Sequence, residues 1–85
     1  MNYSKLRPVM KETVEMIVKA LVDDIEAVDV RAIEGGSTVR IEVRVAEGDM
    51  GKLIGRQGRT VRALRSLLHV ASMKANRRFI LEIVE

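Results

Sequence analysis

Leu53-Ile54-Gly55-Arg56-Gln57-Gly58-Arg59-Thr60-Val61 is the stretch on which the fold of this 85-residue chain turns. Two glycines separated by two residues let the backbone bend sharply and leave no side chain in the way of a second chain. Arg56 and Gln57, a cation and an amide, project from the bend. Before it, Met50 to Ile54 reads as a short helix with Asp49 as its N-cap. Behind it a longer helix, Arg59 to Ala75, opens at once, so the bend lies at a helix N-terminus. Such a place is suited to a sugar-phosphate strand.

At 100° per residue the long helix has distinct sides. Val61, Leu64, Leu68, Ala71 and Ala75 share an arc that should pack on a sheet. Arg59, Arg62, Arg65 and His69 gather on the side away from it. A further flank of Ala63, Leu67 and Val70 is also apolar, which calls for deep burial or a second contact, another subunit among the options. Asn76-Arg77 closes the helix, and Arg78 to Val84 reads as a strand with Phe79, Leu81 and Ile83 inward.

Upstream, Thr38 to Ala46 alternates cleanly, with Val39, Ile41, Val43 and Val45 on one face and Arg40, Glu42 and Arg44 on the other. That is the period of a strand with one covered face. Ile25 to Ile33 alternates less well, with Val28, Val30 and Ala32 on one side, and Glu34-Gly35-Gly36-Ser37 makes the hairpin turn between the two. Leu6 to Val22 reads as an amphipathic helix, with Ser4 as its cap, Pro8 in or near its first turn, and Asp23-Asp24 ending it. The fold class is α+β, a three-stranded sheet with helices packed on one face. Residues 1–85 form one domain: N-terminal helix 1–24, β-hairpin 25–46, helix–turn–helix 49–75 and last strand 78–84.

The net charge of +3 hides a separation of signs. Met50 to Leu81 holds no Asp or Glu but carries Lys52, Arg56, Arg59, Arg62, Arg65, Lys74, Arg77 and Arg78. One half of the chain is therefore built to face a polyanion. There is no cysteine, so disulfides and thiolate zinc sites are excluded, and one histidine makes no metal site alone. No metal or cofactor is expected. No apolar run is long enough to span a bilayer, and Met1-Asn2-Tyr3-Ser4 does not open a secretory signal, so a cytoplasmic protein is expected.

Around the quoted stretch the chain resembles a KH domain, in which an apolar pair precedes G-x-x-G and an apolar residue follows three positions later. With a helix and strand placed before the minimal core, the order α-β-β-α-α-β resembles the bacterial type II form. Length and the Gly51-Lys52 lead-in are similar to the KhpA family of single-KH RNA-binding proteins. The resemblance implies a groove for about four nucleotides of single-stranded RNA. It implies that Gly55 and Gly58 give close approach, that Arg56 and Gln57 touch phosphate or sugar, and that Arg59 and Arg62 extend the track. Ile54 and Val61 would help floor the groove or else pack in the core, and Lys52 would reach the strand or stay solvated. Arg65 and His69 are weaker choices. An RNA chaperone or post-transcriptional regulator follows from the family, with self-association, a KhpB (Jag/EloR)-type partner and a role in cell shape. Leu67, Val70 and Val61 are the dimer-interface residues expected; a protein-interaction module and a single-stranded DNA binder are the alternatives.

Other chemistries fit less well. Gly48 to Leu53 is too short for a P-loop and lacks the hydroxyl residue after Lys52. The basic half offers no carboxylate base, and His69 has no evident orienting partner, so no enzyme is expected. With Tyr3 and Phe79 the only aromatics, serial base stacking is improbable.

Overall fold

The computed structural model describes residues 3–85, so Met1 and Asn2 of the expected N-terminal helix lie outside the described residues. Helix α1 (Tyr3–Leu21) buries Leu6, Met10, Val14 and Val18, a four-residue repeat that keeps one side on the core. Ser4, expected as its cap, lies inside the helix, and Pro8 is its sixth residue. The Val22 amide still donates to the Val18 carbonyl (3.2 Å) before the chain turns away.

Strand β1 (Asp29–Gly35) begins four residues later than the apolar run from Ile25 led us to expect. Residues Ile25–Ala27 form a tight turn instead. There the Ala27 and Val28 amides donate to the carbonyls of Asp24 and Ile25, so these groups are satisfied locally and not by a ladder. Val30 is buried, with Val28 and Ala32 half-buried on the same side, so the alternation itself holds. Strand β2 (Thr38–Arg44) pairs antiparallel with β1 in a register from Asp29↔Arg44 to Gly35↔Thr38, which leaves Gly36-Ser37 as the turn. Its Val39, Ile41 and Val43 are fully buried.

After a tight turn (Glu47–Asp49) come the one-and-a-half-turn helix α2 (Met50–Ile54), the bend Arg56–Gly58, helix α3 (Arg59–Ala75) and strand β3 (Arg78–Ile83). The order in the sheet is β1-β2-β3, and β3 runs parallel to β2, Thr38↔Arg78 to Val43↔Ile83. A parallel neighbour needs a long crossover, which α2 and α3 supply. Asn76, in the left-handed region at φ 53°, ends α3 and turns the chain into β3. Between the helices and the sheet lies a single apolar core, where Leu53 and Leu68 meet Ile41, Phe79 and Leu81. The other sheet face is exposed and charged; there Arg40 bridges Glu42 (3.1 Å) and Glu82 (3.4 Å). No helix among the described residues is long and apolar enough to cross a membrane.

Candidate nucleic-acid interface

The bend is fixed from within before any ligand meets it. Gly55 has φ 78°, and its amide closes α2 on the Gly51 carbonyl (2.9 Å). A Cβ on Gly55 would stand 2.2 Å from Thr60 Oγ1 and 2.9 Å from the Thr60 amide nitrogen, so this glycine makes room for its own chain. Gly58, at φ 73°, is different: a Cβ there would meet nothing closer than Val61 Cγ1 at 4.0 Å. The Gly58 amide donates to the Gly55 carbonyl (3.1 Å), and Gln57 between them is also left-handed at φ 56°. Arg62 reaches back from α3 and donates from Nη2 to the Gln57 carbonyl (2.8 Å). Arg62 thus braces the bend as well as adding positive charge to it.

Arg56, Gln57 and Arg59 are exposed at the tip, with no acidic residue in the first turn of α3. The Arg59 amide donates to the Arg56 carbonyl, and the dipole of that first turn adds partial positive charge at the same point. Ile54 is 39% exposed at the end of α2. It lines a hollow of about 570 Å³ with Met50, Arg44 and Val84. A second hollow of about 530 Å³ is lined by Arg65, His69 and Ser72 of α3 and by the successive β3 residues 78–81. It therefore follows the outer edge of β3, which pairs only with β2. Arg65 and His69, weak choices by sequence, stand on this groove; Arg78 and Ile80 join them and were not singled out, because only the β3 edge brings them there.

Two expected residues are placed differently. Val61 is 8% exposed and belongs to the core, so it is not available to a partner on the helix flank. Its position next to Leu64 and Leu68 on the sheet-facing arc is the reason. Lys52 is exposed, but its ammonium contacts Asp23 and lies 3.5 Å from Asp49. Asp49 itself does not cap α2 with its side chain. Its Oδ2 accepts the Asp24 amide instead (3.0 Å), and the carboxyl is held below its usual range, chiefly by that bond.

On the opposite flank of α3, Leu67 is shared by two shallow apolar depressions. Ala63 lies in one, towards Ile17 and Leu21 of α1, and Val70 in the other, beside Met10 and Met73. Val70 is 59% exposed and Met73 66%, with Met16 of α1 at 67%.

A family model described as the KhpA/KhpB KH domain matches residues 11–83. The chain belongs to the KhpA/KhpB KH-domain family. It is 48% identical over 75 residues to the RNA-binding protein KhpA of Caldanaerobacter subterraneus subsp. tengcongensis, covering 88% of this chain and all of that one. It is 47% identical to the RNA-binding protein KhpA of Aquifex aeolicus, covering 89% of this chain and 96% of that one. The RNA-binding protein KhpA of Borreliella burgdorferi is likewise 47% identical, over 87% of this chain and 90% of its own. A crystal structure of an Aquifex aeolicus Era variant bound to a GDP complex superposes with a TM-score of 0.60 at 19% identity, over 92% of this chain and 30% of that one. That likeness concerns the fold. For a KhpA/KhpB-family KH domain the type II order of elements is what the helices and mixed sheet display.

Proposed function

We propose that this KhpA/KhpB-family domain binds single-stranded RNA without catalysis, holding the strand backbone at the Gly55-Arg56-Gln57-Gly58 bend and the bases along the α3–β3 groove. The observation that carries this is the bend itself: Gly55, Gln57 and Gly58 all take positive φ, Arg56 stands exposed between them, and the bend sits at the N-terminus of a 17-residue helix. Arg65 and Arg78 continue the positive charge along the groove, Arg59 stands at the start of α3 towards α1, and Ile54 and Ile80 offer apolar contact to bases. Relatives called RNA-binding protein KhpA support RNA over single-stranded DNA as the ligand.

A single groove of this size engages few phosphates, so binding is weak and salt-sensitive, with log affinity falling by about 0.7 per phosphate per decade of salt. Such a module suits an RNA chaperone or post-transcriptional regulator in the cytoplasm, where a second module raises affinity through effective concentration. We place self-association, and pairing with a KhpB-type KH protein, on the apolar flank around Leu67 and Val70, because Val70 and Met73 are apolar and well exposed there and Leu67 lies half-buried between two apolar depressions. The deciding experiment changes Arg56 and Gln57 together to Asp. Retention of a labelled single-stranded RNA should be lost, at least tenfold in affinity, while the melting transition and solution mass persist. Unchanged retention would remove the bend from the binding surface.

A further inference from the structure

Asp49 is the one charged side chain buried among the described residues, and it faces neither groove. One carboxylate oxygen is fixed by the Asp24 amide at 3.0 Å, and the other lies 3.5 Å from Lys52 Nζ. Asp23, next to Asp24, closes on the same ammonium from the solvent side. Two carboxylates thus share one lysine, and the trio carries a net charge of −1. The arms differ. The Asp49 side chain is only 6% exposed and cannot swing away without stranding the Asp24 amide, whereas the Asp23 side chain is 83% exposed. The Lys52 ammonium is held above its usual pKa, first by Asp23 and then by Asp49.

Lys52 stands three residues before Gly55, one helical turn from the bend. Side chains at that spacing start about 5–6 Å apart, so an unheld lysine would reach a phosphate lying on the bend. It also stands about 160° around α2 from Ile54, on the flank where Asp23, just past the end of α1, meets it. Counting charge along the sequence makes Lys52 the first cation of an acid-free run; in space, acids from before that run neutralise it. Resting on the RNA reading above, we propose that Asp23 and Asp49 clamp Lys52 as an internal counter-ion, so that the phosphate track begins at Arg56 and Asp23 restrains the strength of binding.

The test is a cycle of substitutions in the full chain, reading the affinity for a labelled oligouridylate and its dependence on salt. K52Q alone should change affinity less than about twofold and leave the salt slope unaltered, because the lysine is already neutralised. D23N should tighten binding about two- to fivefold at low salt, the scale of releasing one exposed ion pair. It should also steepen the slope by about 0.7, one further phosphate. D23N/K52Q should return both quantities to those of the unaltered chain. Because Asp23 is exposed, D23N should keep its melting temperature within about 5 °C. K52Q weakening binding by itself overturns the clamp, since Lys52 would then already hold a phosphate. So does a D23N gain that is the same without Lys52, which would be a general field effect, or no gain at all. Failure of all four forms to bind the oligomer overturns the RNA reading itself, a result distinct from these.

Discussion

Helix α3 presents two exposed flanks that could hardly differ more. One carries Arg65 and His69 and borders the edge of β3; the other carries Ala63, Leu67, Val70 and Met73 and borders α1, with Arg59 and Lys74 at its margins. Both belong to the same 17 residues, whose third side, Val61, Leu64, Leu68 and Ala71, is core. The cationic flank gains by neutralising a polyanion, an interaction that salt weakens. The apolar flank gains by leaving water, which salt does not oppose. On the function proposed above, the helix would serve two partners at once, since the β3-edge groove and the two apolar depressions lie on different flanks.

The largest expected effect comes from the bend, which sets how α3 starts and hence where both flanks point. Gly55→Ala forces a Cβ against Thr60 at a positive φ, and should cost about 2–4 kcal/mol of folding stability. Gly58→Ala meets open space and carries only the backbone penalty, about 1 kcal/mol. Urea unfolding of the two variants measures the difference. Equal losses would mean that the contact with Thr60 does not constrain the bend.

Next comes the apolar flank. Leu67→Asp places an unpaired charge where the two depressions meet, which a closed apolar interface does not tolerate. The solution mass should fall to that of a single chain, while affinity for a short RNA stays the same. If the mass does not change, self-association through this flank is ruled out. If short-RNA binding falls with the mass, the two flanks are not independent and the contrast between them fails.

Which parts of this contrast could be read from the residues alone depended on distance along the chain. The three sides of α3 follow from its 3.6-residue period, and the inward face of β2 from strict alternation at Val39, Ile41 and Val43. Both are local patterns. The direction of β3 was not legible, because Phe79, Leu81 and Ile83 alternate identically in parallel and antiparallel pairing. Nor was the late start of β1, where Ile25 looks strand-like but its neighbours close a turn. Asp49 has the position of an N-cap, yet its carboxylate serves an amide 25 residues earlier. Val61 reads as both core and interface, and the period that sets it beside Leu64 and Leu68 decides for the core.

A smaller effect sharpens the cationic side. Arg65→Gln should weaken RNA binding about three- to tenfold and reduce the salt slope by about 0.7, with no change in solution mass. Arg62→Gln should do more than that to binding, because it also releases the Gln57 carbonyl that shapes the bend. Binding at several salt concentrations separates them: if both lose only one phosphate's worth of slope and equal affinity, the brace has no part in recognition.

The smallest effect concerns the anchor beneath the bend. The Asp49 carboxyl is depressed by the Asp24 amide first, with the Asp23 amide and Lys52 adding to it. A carboxyl whose folded pKa lies below its unfolded value of about 3.9 stabilises the fold above that pH. The contribution fades as pH drops from about 4 through the lower folded value, when the unfolded chain binds the proton first. Asp49→Asn removes this titration while retaining an oxygen for the Asp24 amide. Urea unfolding between about pH 2 and pH 6 should therefore show a shallower loss of stability below pH 4 in the variant than in the parent. Parallel acid limbs would mean that Asp49 ionises alike in the folded and unfolded chains, and that the amide contact does not hold its charge.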